Sequence, residues 1–184
     1  MRDREILLAV TGGVAAYKAA ALASSLVQHG AKVTAILTAG AEKFIGAPTF
    51  AALTGRRVVR DLFDEGEPLG AHITLARQAE VLCIAPATAN ILAKLAHGLA
   101  DDLLSTLYLS FTGPVLIAPA MNCEMWEKPS VQRNVAQLKE DGCQFVGPEA
   151  GWLSCREKGP GRMSSPEAIF ARLEEVCKGL PEGE

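Results

Sequence analysis

The chain has 184 residues, of which 49% are hydrophobic and 21% charged, and its net charge at pH 7 is −3. A chain of this length is expected to form a single domain, residues 1–184, with a substantial core. No run of basic residues exceeds a pair and the apolar runs are only strand-length, which argues against nucleic-acid binding, a polybasic membrane patch and a membrane span. The first residues lack a signal-peptide pattern, so a cytoplasmic location is expected.

Short apolar runs alternate with helical patterns along the chain. The strands are predicted at 6–10, 32–37, 81–85 and 115–118, with a short strand near 145. Between and after them, helices are predicted at 14–28, from 71, at 89–110 with a break near 98, at 130–141 and after 166, with short helical turns at 40–54, loops at 61–69 and 147–162, and a frayed acidic tail at 181–184. This alternation predicts an α/β fold in which helices cover both faces of a parallel sheet.

The unusual residues follow the predicted strands. The segments concerned are Thr11-Gly12-Gly13, Thr38-Ala39-Gly40, Pro86-Ala87-Thr88-Ala89-Asn90 and Pro119-Ala120-Met121-Asn122. In open parallel sheets, ligands bind beyond the carboxyl ends of the strands. The four loops are therefore predicted to converge on one site.

The first loop places two glycines between a strand and a helix start, where the backbone can approach an anionic ligand. Lys18 does not stand in the Gly-Lys-Ser/Thr setting of a Walker A loop. The second strand ends at Thr38 rather than at the acidic residue that reads a dinucleotide ribose. A ribityl mononucleotide, FMN, fits this pattern best.

Asn122 is an isolated amide in the segment from Pro119 to Trp126, among two methionines, a cysteine and a tryptophan. One interpretation is that it binds a ligand inside a dry apolar collar formed by the methionines and Trp126. The other is that it caps the helix that begins there, which the residues alone favour.

The chain has five cysteines, without a C-x-x-C pair or zinc spacing, so no metal is expected and buried free thiols are the default. Cys83 fits that default. Cys155 lies in a polar, glycine-rich loop and does not.

"PATAN", "PAMNCEMW" and "GPGRM" together resemble the flavin-dependent cysteine decarboxylases, over about residues 6–176. Within them, the resemblance is to the branch that converts 4′-phosphopantothenoyl-L-cysteine to 4′-phosphopantetheine in coenzyme A biosynthesis, by thiol oxidation, loss of carbon dioxide and re-reduction. It implies a three-layer, Rossmann-like (flavodoxin-like) sheet, bound FMN, and trimers or dodecamers of trimers with active sites shared between subunits.

By motif, the implied FMN contacts are Gly12, Gly13, Val14, Thr38, Ala39, Gly40, Thr88, Ala89, Asn90, Ile91 and Ala120. The resemblance implies that Asn122 holds the substrate carboxylate and that Met125 also binds substrate. It implies that His72 is an active-site histidine reaching into a neighbouring subunit, and that Cys155 is a proton donor on a closing flap.

Two positions depart from the family pattern. Arg156 stands where the family has glycine after the flap cysteine, which is strained if that position needs a positive φ. Ile91 replaces a usual threonine, which puts one flavin phosphate contact in doubt.

Other functions remain open. A peptidyl-cysteine decarboxylase of peptide natural-product synthesis would stop at the enethiol, and a non-catalytic flavoprotein subunit belongs to another functional class. Prenyl-FMN synthases share the fold but lack the Asn-Met-Trp element. Many bacterial relatives are fused to a synthetase domain, so a synthetase is an expected partner if this chain is a fragment.

Overall fold

Five parallel strands form the central sheet of the computed structural model, which describes residues 1–63 and 70–181. They are β1 (Glu5–Val10), β2 (Lys32–Leu37), β3 (Val81–Ala87), β4 (Val115–Pro119) and β5 (Gln144–Phe145). β3 and β4 are buried along their whole length, as expected for apolar runs covered on both faces. Most of the predicted loop at 61–69 and of the acidic tail lies outside the described residues.

Eight helices surround the sheet in the described part of the chain. They are α1 (Ala16–Gln28), α2 (Ala47–Thr54), α3 (Ala71–Gln78), α4 (Ala89–Ala96), α5 (Leu103–Ser110), α6 (Cys123–Glu127), α7 (Pro129–Glu140) and α8 (Pro166–Lys178), with a 3-10 turn at Ala41–Lys43. The predicted break near Gly98 separates α4 from α5, and Gly98 has a positive φ of 65°. None of the described helices has both the length and the apolar character that crossing a bilayer requires.

Two separate apolar cores lie on opposite faces of the sheet. One contains Leu22 of α1, Phe50 of α2 and Leu173 of α8. The other contains side chains of α3, α4, α5 and α7, such as Leu92 and Leu107. Alternate residues of β1 enter the two cores, so the three-layer α/β prediction is confirmed.

The strand order β2-β1-β3-β4-β5 fixes where a ligand can enter. The chain moves outward from β1 to β2 and then returns to the other side of β1 with β3. The connections after β1 and β3 therefore diverge, and this switch point opens a crevice at the carboxyl edge of the sheet. The order is that of flavodoxin-like folds.

The predicted loop at 147–162 is wrong. The segment forms an antiparallel hairpin of β6 (Glu149–Trp152) and β7 (Lys158–Arg162). The sequence does not predict these strands, because they contain glycine and proline, which are depleted in strands, and because most of their residues are half-buried or exposed. Backbone hydrogen bonds hold the pair together. The hairpin is not part of the central sheet but lies at the crevice.

Candidate active site

A cleft of about 1060 Å³ occupies the switch point at the carboxyl edge of the sheet. All the residues predicted to bind a cofactor line it: Gly12, Gly13, Val14, Thr38, Ala39, Gly40, Thr88, Ala89, Asn90, Ile91 and Ala120. Asn122 and Met125 line it too, whereas His72 and Cys155 do not. The four strand-end loops thus converge as predicted, on a cleft large enough for a cofactor and a small substrate.

The floor of the cleft depends on a close approach of two loops. A Cβ on Gly12 would lie 2.8 Å from the backbone carbon of Gly40, too close for any other residue. The turns after β1 and β2 are therefore locked together by their glycines.

A hydrogen-bonded pair of threonines joins the turn after β1 to the start of α4. The backbone N–H of Thr88 donates to Thr11 Oγ1 at 3.1 Å, and Thr11 Oγ1 donates to the carbonyl of Pro86 at 2.7 Å. Thr88 then caps α4 by accepting from the backbone N–H of Ile91 at 3.4 Å. Among the described residues, the first-turn N–H groups of Ala89 and Asn90 find no acceptor, so they remain available to an anion in the cleft.

Two of the predicted contacts already have roles within the chain. Thr38 Oγ1 accepts a hydrogen bond from the backbone N–H of Ala41 at 3.2 Å, so its hydroxyl supports the turn that follows. Ile91 lines the cleft but its side chain is only 2% exposed and packs into the core behind it. The apolar residue at 91 is therefore accommodated by the fold.

Asn122 caps α6. Its side-chain carbonyl accepts from the backbone N–H of Met125 at 2.9 Å. Its amide nitrogen donates to the carboxylate of Glu124 at 2.6 Å. Because the cap holds the oxygen against the helix, the amide can offer only N–H groups to a ligand, and one of them already binds a carboxylate here.

The dry collar predicted around Asn122 is not formed by the described residues of this chain. Met125 is 45% exposed and Asn122 is half-buried. Trp126 is half-buried and packs against the core formed by α3, α4, α5 and α7. Met125 and Trp126 therefore leave Asn122 partly exposed to solvent.

The β6–β7 hairpin forms the opposite wall of the cleft through Trp152, Leu153, Gly161 and Arg162. The backbone N–H of Met121 donates to the Gly161 carbonyl at 2.9 Å, which ties the hairpin to the Asn122 loop. Gly161 has a φ of +127°, and a Cβ there would overlap the Met121 carbonyl. The hairpin is thus docked directly beside Asn122.

Cys155 lies in the exposed turn of this hairpin, outside the cleft. Arg156 follows it with a positive φ of 69°, so the position where the family has glycine does adopt the left-handed conformation. Cys83 is buried as predicted, and burial raises the pKa of its thiol to about 12.

His72 is half-buried in the first turn of α3. Its Nδ1 is buried and has no hydrogen-bond partner among the described residues. The Gly70 backbone crosses close by, since a Cβ on Gly70 would lie 3.1 Å from the imidazole Cε1. His72 is not among the residues that line the cleft.

Several cleft residues were not predicted, among them Tyr17, Lys18, Lys94, Asp102 and Arg162. Tyr17 and Lys18 lie on the first turn of α1, directly after the glycine turn, and this proximity was the available signal. Lys94 forms salt bridges with Asp101 at 2.7 Å and Asp102 at 2.6 Å. Burial alone would raise the pKa of Asp102, but hydrogen bonds from Lys94 and Ser105 lower it overall.

Comparison with known proteins identifies the family of this chain. The model of the flavoprotein family matches residues 1–178. The coenzyme A biosynthesis bifunctional protein CoaBC of Bacillus subtilis is 46% identical over 175 residues, which are 95% of this chain and 43% of that protein. Its Vibrio vulnificus counterpart is 40% identical, over 98% of this chain and 45% of that protein. The chain therefore spans less than half the length of these curated relatives.

Two solved structures share the whole fold. A mutant of PPC decarboxylase complexed with pantothenoylaminoethenethiol superposes with a TM-score of 0.86 and 32% identity, over 97% of this chain and all of that one. The FMN-dependent cysteine decarboxylase SpaF superposes with a TM-score of 0.81 and 36% identity, over 95% of this chain and 97% of that one.

Proposed function

The chain belongs to the flavoprotein family, and from that membership and its cleft we propose that it decarboxylates 4′-phosphopantothenoyl-L-cysteine to 4′-phosphopantetheine with bound FMN, as a step of coenzyme A biosynthesis. The observation that carries the proposal is the cleft itself. The loops expected to hold the flavin form one part of it, and Asn122 lies opposite them next to the hairpin that bears Cys155.

The residues present fit a flavin mononucleotide. The locked glycine turns leave backbone exposed to the cleft, and the N–H groups of Ala89 and Asn90 suit its phosphate. Bound FMN would supply two-electron oxidation and reduction at the carbon that bears the substrate thiol. The protein orients the substrate, excludes water, and accepts and donates protons.

Asn122 binds the substrate carboxylate in this proposal. Its oxygen is held by the cap, and its amide nitrogen donates one N–H group to the carboxylate of Glu124 in the first turn of α6. A substrate carboxylate would take over that contact, and Met125 would cover it from the exposed side. The amide thereby holds the leaving carboxylate next to the flavin loops.

Cys155 supplies a proton to the product when the hairpin turn folds over the substrate. The turn lies outside the cleft in this structure, but the strands that carry it form a cleft wall, so a change confined to residues 153–157 would bring the thiol inward. The same movement would exclude water from the site.

His72 completes the site of a neighbouring subunit in an assembly of trimers, alone or as a dodecamer. The observation that supports this is that the imidazole does not line the cleft of its own chain. A neighbouring subunit would also cover Met125 and close the collar around Asn122.

The proposal places the enzyme in the cytoplasm, beside a synthetase activity on another domain or another protein that supplies its substrate. The alternative of a peptidyl-cysteine substrate is not favoured, because the curated relatives described above carry the name of coenzyme A biosynthesis. The alternative of a non-catalytic subunit has no observation in its favour.

The test is an assay of the purified protein with FMN and phosphopantothenoylcysteine. We expect a yellow protein that releases carbon dioxide and forms the saturated thiol. A preparation that does not take up FMN would contradict the cofactor assignment. Release of carbon dioxide that ends at the enethiol, or activity on peptides only, would favour the peptide-modifying alternative.

A further inference from the structure

Two cations face the cleft where the hairpin meets α1. Lys18 is half-buried on the first turn of α1, and Arg162 is the last residue of β7. Both line the cleft, and neither belongs to the loops expected to hold the flavin. The other lysine of the cleft, Lys94, is neutralised by two aspartates.

The hairpin leaves space for the guanidinium of Arg162. Its Cζ would lie 2.6 Å from a Cβ on Gly151, so the facing strand of the hairpin is open at the point where the side chain crosses it. Arg162 Nη2 donates to the carboxylate of Glu149 at 2.9 Å. One edge of the guanidinium is thus anchored, and its other N–H groups have no hydrogen-bond partner in the part of the chain that the structure describes.

Lys18 is held beside it without a carboxylate of its own. Its ammonium donates to the carbonyl of Met163, the residue after Arg162, at 3.1 Å. Within residues 1–63 and 70–181 it forms no salt bridge. Burial, followed by the positive charge of Arg162, lowers the pKa of the Lys18 ammonium overall, although the carboxylates of Glu149 and Glu167 act to raise it.

Glu149 pairs directly with Arg162 but not with Lys18, so the two cations keep a net positive charge at a partly buried position, which a bound phosphate would stabilise. We propose that Lys18 and Arg162 form a phosphate-monoester subsite, which binds the phosphate of the substrate at the end remote from its cysteine. This inference rests on the proposed function for the identity of the ligand.

The location of the pair argues for the substrate rather than the flavin as the source of the phosphate. Arg162 and the carbonyl that holds Lys18 belong to β7 and its continuation, and β7 also carries the turn that contains Cys155. A ligand bound by Lys18 and Arg162 would therefore lie beneath the hairpin. The N–H groups of Ala89 and Asn90 offer the flavin phosphate a separate site.

The experiment measures binding to the FMN-loaded protein by calorimetry, with 4′-phosphopantetheine and pantetheine as ligands that differ only in the phosphate. We expect the parent protein to prefer the phosphorylated ligand roughly ten- to a hundredfold, the range expected for hydrogen bonds between charged groups. Lys18→Gln should remove most of that preference and leave the affinity for pantetheine unchanged. Arg162→Gln should act in the same direction, and Arg162→Lys should retain part of the preference.

Lys43→Gln is the matched control, because it removes the same charge from an exposed residue that does not line the cleft. Its preference should equal that of the parent. Equal losses for both ligands in Lys18→Gln, or no preference in the parent, would overturn the inference. So would a weaker affinity of Lys18→Gln for FMN with no change for riboflavin, which would assign the cations to the flavin phosphate.

The two proposals fail separately. Carbon dioxide release from phosphopantothenoylcysteine without a preference for the phosphorylated ligand would refute the subsite and leave the proposed function standing. A phosphate preference that depends on Lys18, in a protein that releases no carbon dioxide, would refute the proposed function alone.

Discussion

At Asn122, the two interpretations that the sequence leaves open use different atoms of one amide. The oxygen caps α6 through the backbone N–H of Met125, and the nitrogen is the donor, which in this structure binds the carboxylate of Glu124. The capping interpretation is therefore confirmed, and the binding of a substrate carboxylate stays a prediction that the cap does not contradict.

Asn122→Asp separates the two roles, because aspartate and asparagine cap helices about equally well. We expect the variant to keep the cap and to lose less stability than Asn122→Ala, even though its carboxylate now faces that of Glu124. It should lose substrate affinity by at least about 2 kcal/mol, since a carboxylate replaces the donor and repels the substrate carboxylate. Denaturant unfolding and calorimetry measure the two effects. Asn122→Ala is the comparison and should lose both. An Asp variant that binds substrate as the parent does would rule out the carboxylate contact.

Cys155 is exposed in the hairpin turn, where a thiol has no packing role. We predict that Cys155→Ser still releases carbon dioxide but accumulates the enethiol and reduced flavin, because only the return of the proton is lost. Absorbance of the flavin and mass analysis of the product follow the two halves of the reaction. Formation of saturated product at the parent rate would make Cys155 a bystander.

Arg156 has a φ of 69°, a conformation that costs a non-glycine residue on the order of 1 kcal/mol or more. Arg156→Gly should therefore stabilise the turn by up to about 1 kcal/mol, once the greater freedom of glycine in the unfolded chain is included. Hydrogen exchange of the Arg156 N–H, which donates to the Leu153 carbonyl at 3.0 Å, reports this locally. Arg156→Ala is the control, since it removes the side chain but keeps the strain. Equal exchange in the two variants would contradict the prediction.

At the scale of elements, the strands and helices of the sheet were predictable and the hairpin was not. β3 and β4 are continuous apolar runs, and burial on both faces is what makes such runs recognisable. The hairpin pairs Gly151 with Gly159 and Ala150 with Pro160, so it has no alternating pattern to detect. Cleft residues in the strand-end loops were found through motifs, whereas Lys18 and Arg162 have neighbours that only the tertiary fold brings together.

The hairpin is held at the cleft by glycines that allow close contact. Gly161→Ala combines a strained φ of +127° with overlap on the Met121 carbonyl. We expect it to destabilise the protein by about 2–5 kcal/mol and to weaken substrate binding, because the hairpin must move away from Asn122.

Gly142→Ala is the matched control for Gly161→Ala. Gly142 also has a positive φ, of +90°, but a Cβ there meets no atom within 4 Å. It should lose only about 1–2 kcal/mol from backbone strain and keep full substrate affinity. If both variants lose the same stability and both bind substrate normally, the docking of β7 onto the Asn122 loop is unimportant.

At the scale of the whole molecule, the described residues of one chain do not bring all the proposed site residues together. His72 lies apart from the cleft, and Met125 is 45% exposed beside an amide that should be dry to bind a carboxylate strongly. Both features have one explanation in the proposed assembly, where the neighbouring subunit supplies the histidine and covers the methionine. A closed ring of three repeats the same contact at each interface.

The shared site predicts that two inactive variants restore each other. His72→Asn and Asn122→Asp should each be inactive alone. In assemblies mixed equally from the two variants, the chain that supplies the histidine has an intact His72 half of the time, and the chain that supplies the amide has an intact Asn122 half of the time. About one interface in four of a closed ring therefore joins an intact His72 to an intact Asn122. We therefore expect about a quarter of the parent activity per site when the two chains are co-expressed and mixing is verified by native mass spectrometry.

The control is the double variant mixed equally with the parent chain. It should also show about a quarter of full activity if sites are shared between chains, but about half if each chain holds its own complete site. Mixed assemblies of the two single variants that stay inactive, or an active monomer in sedimentation, would show that His72 does not act across the interface.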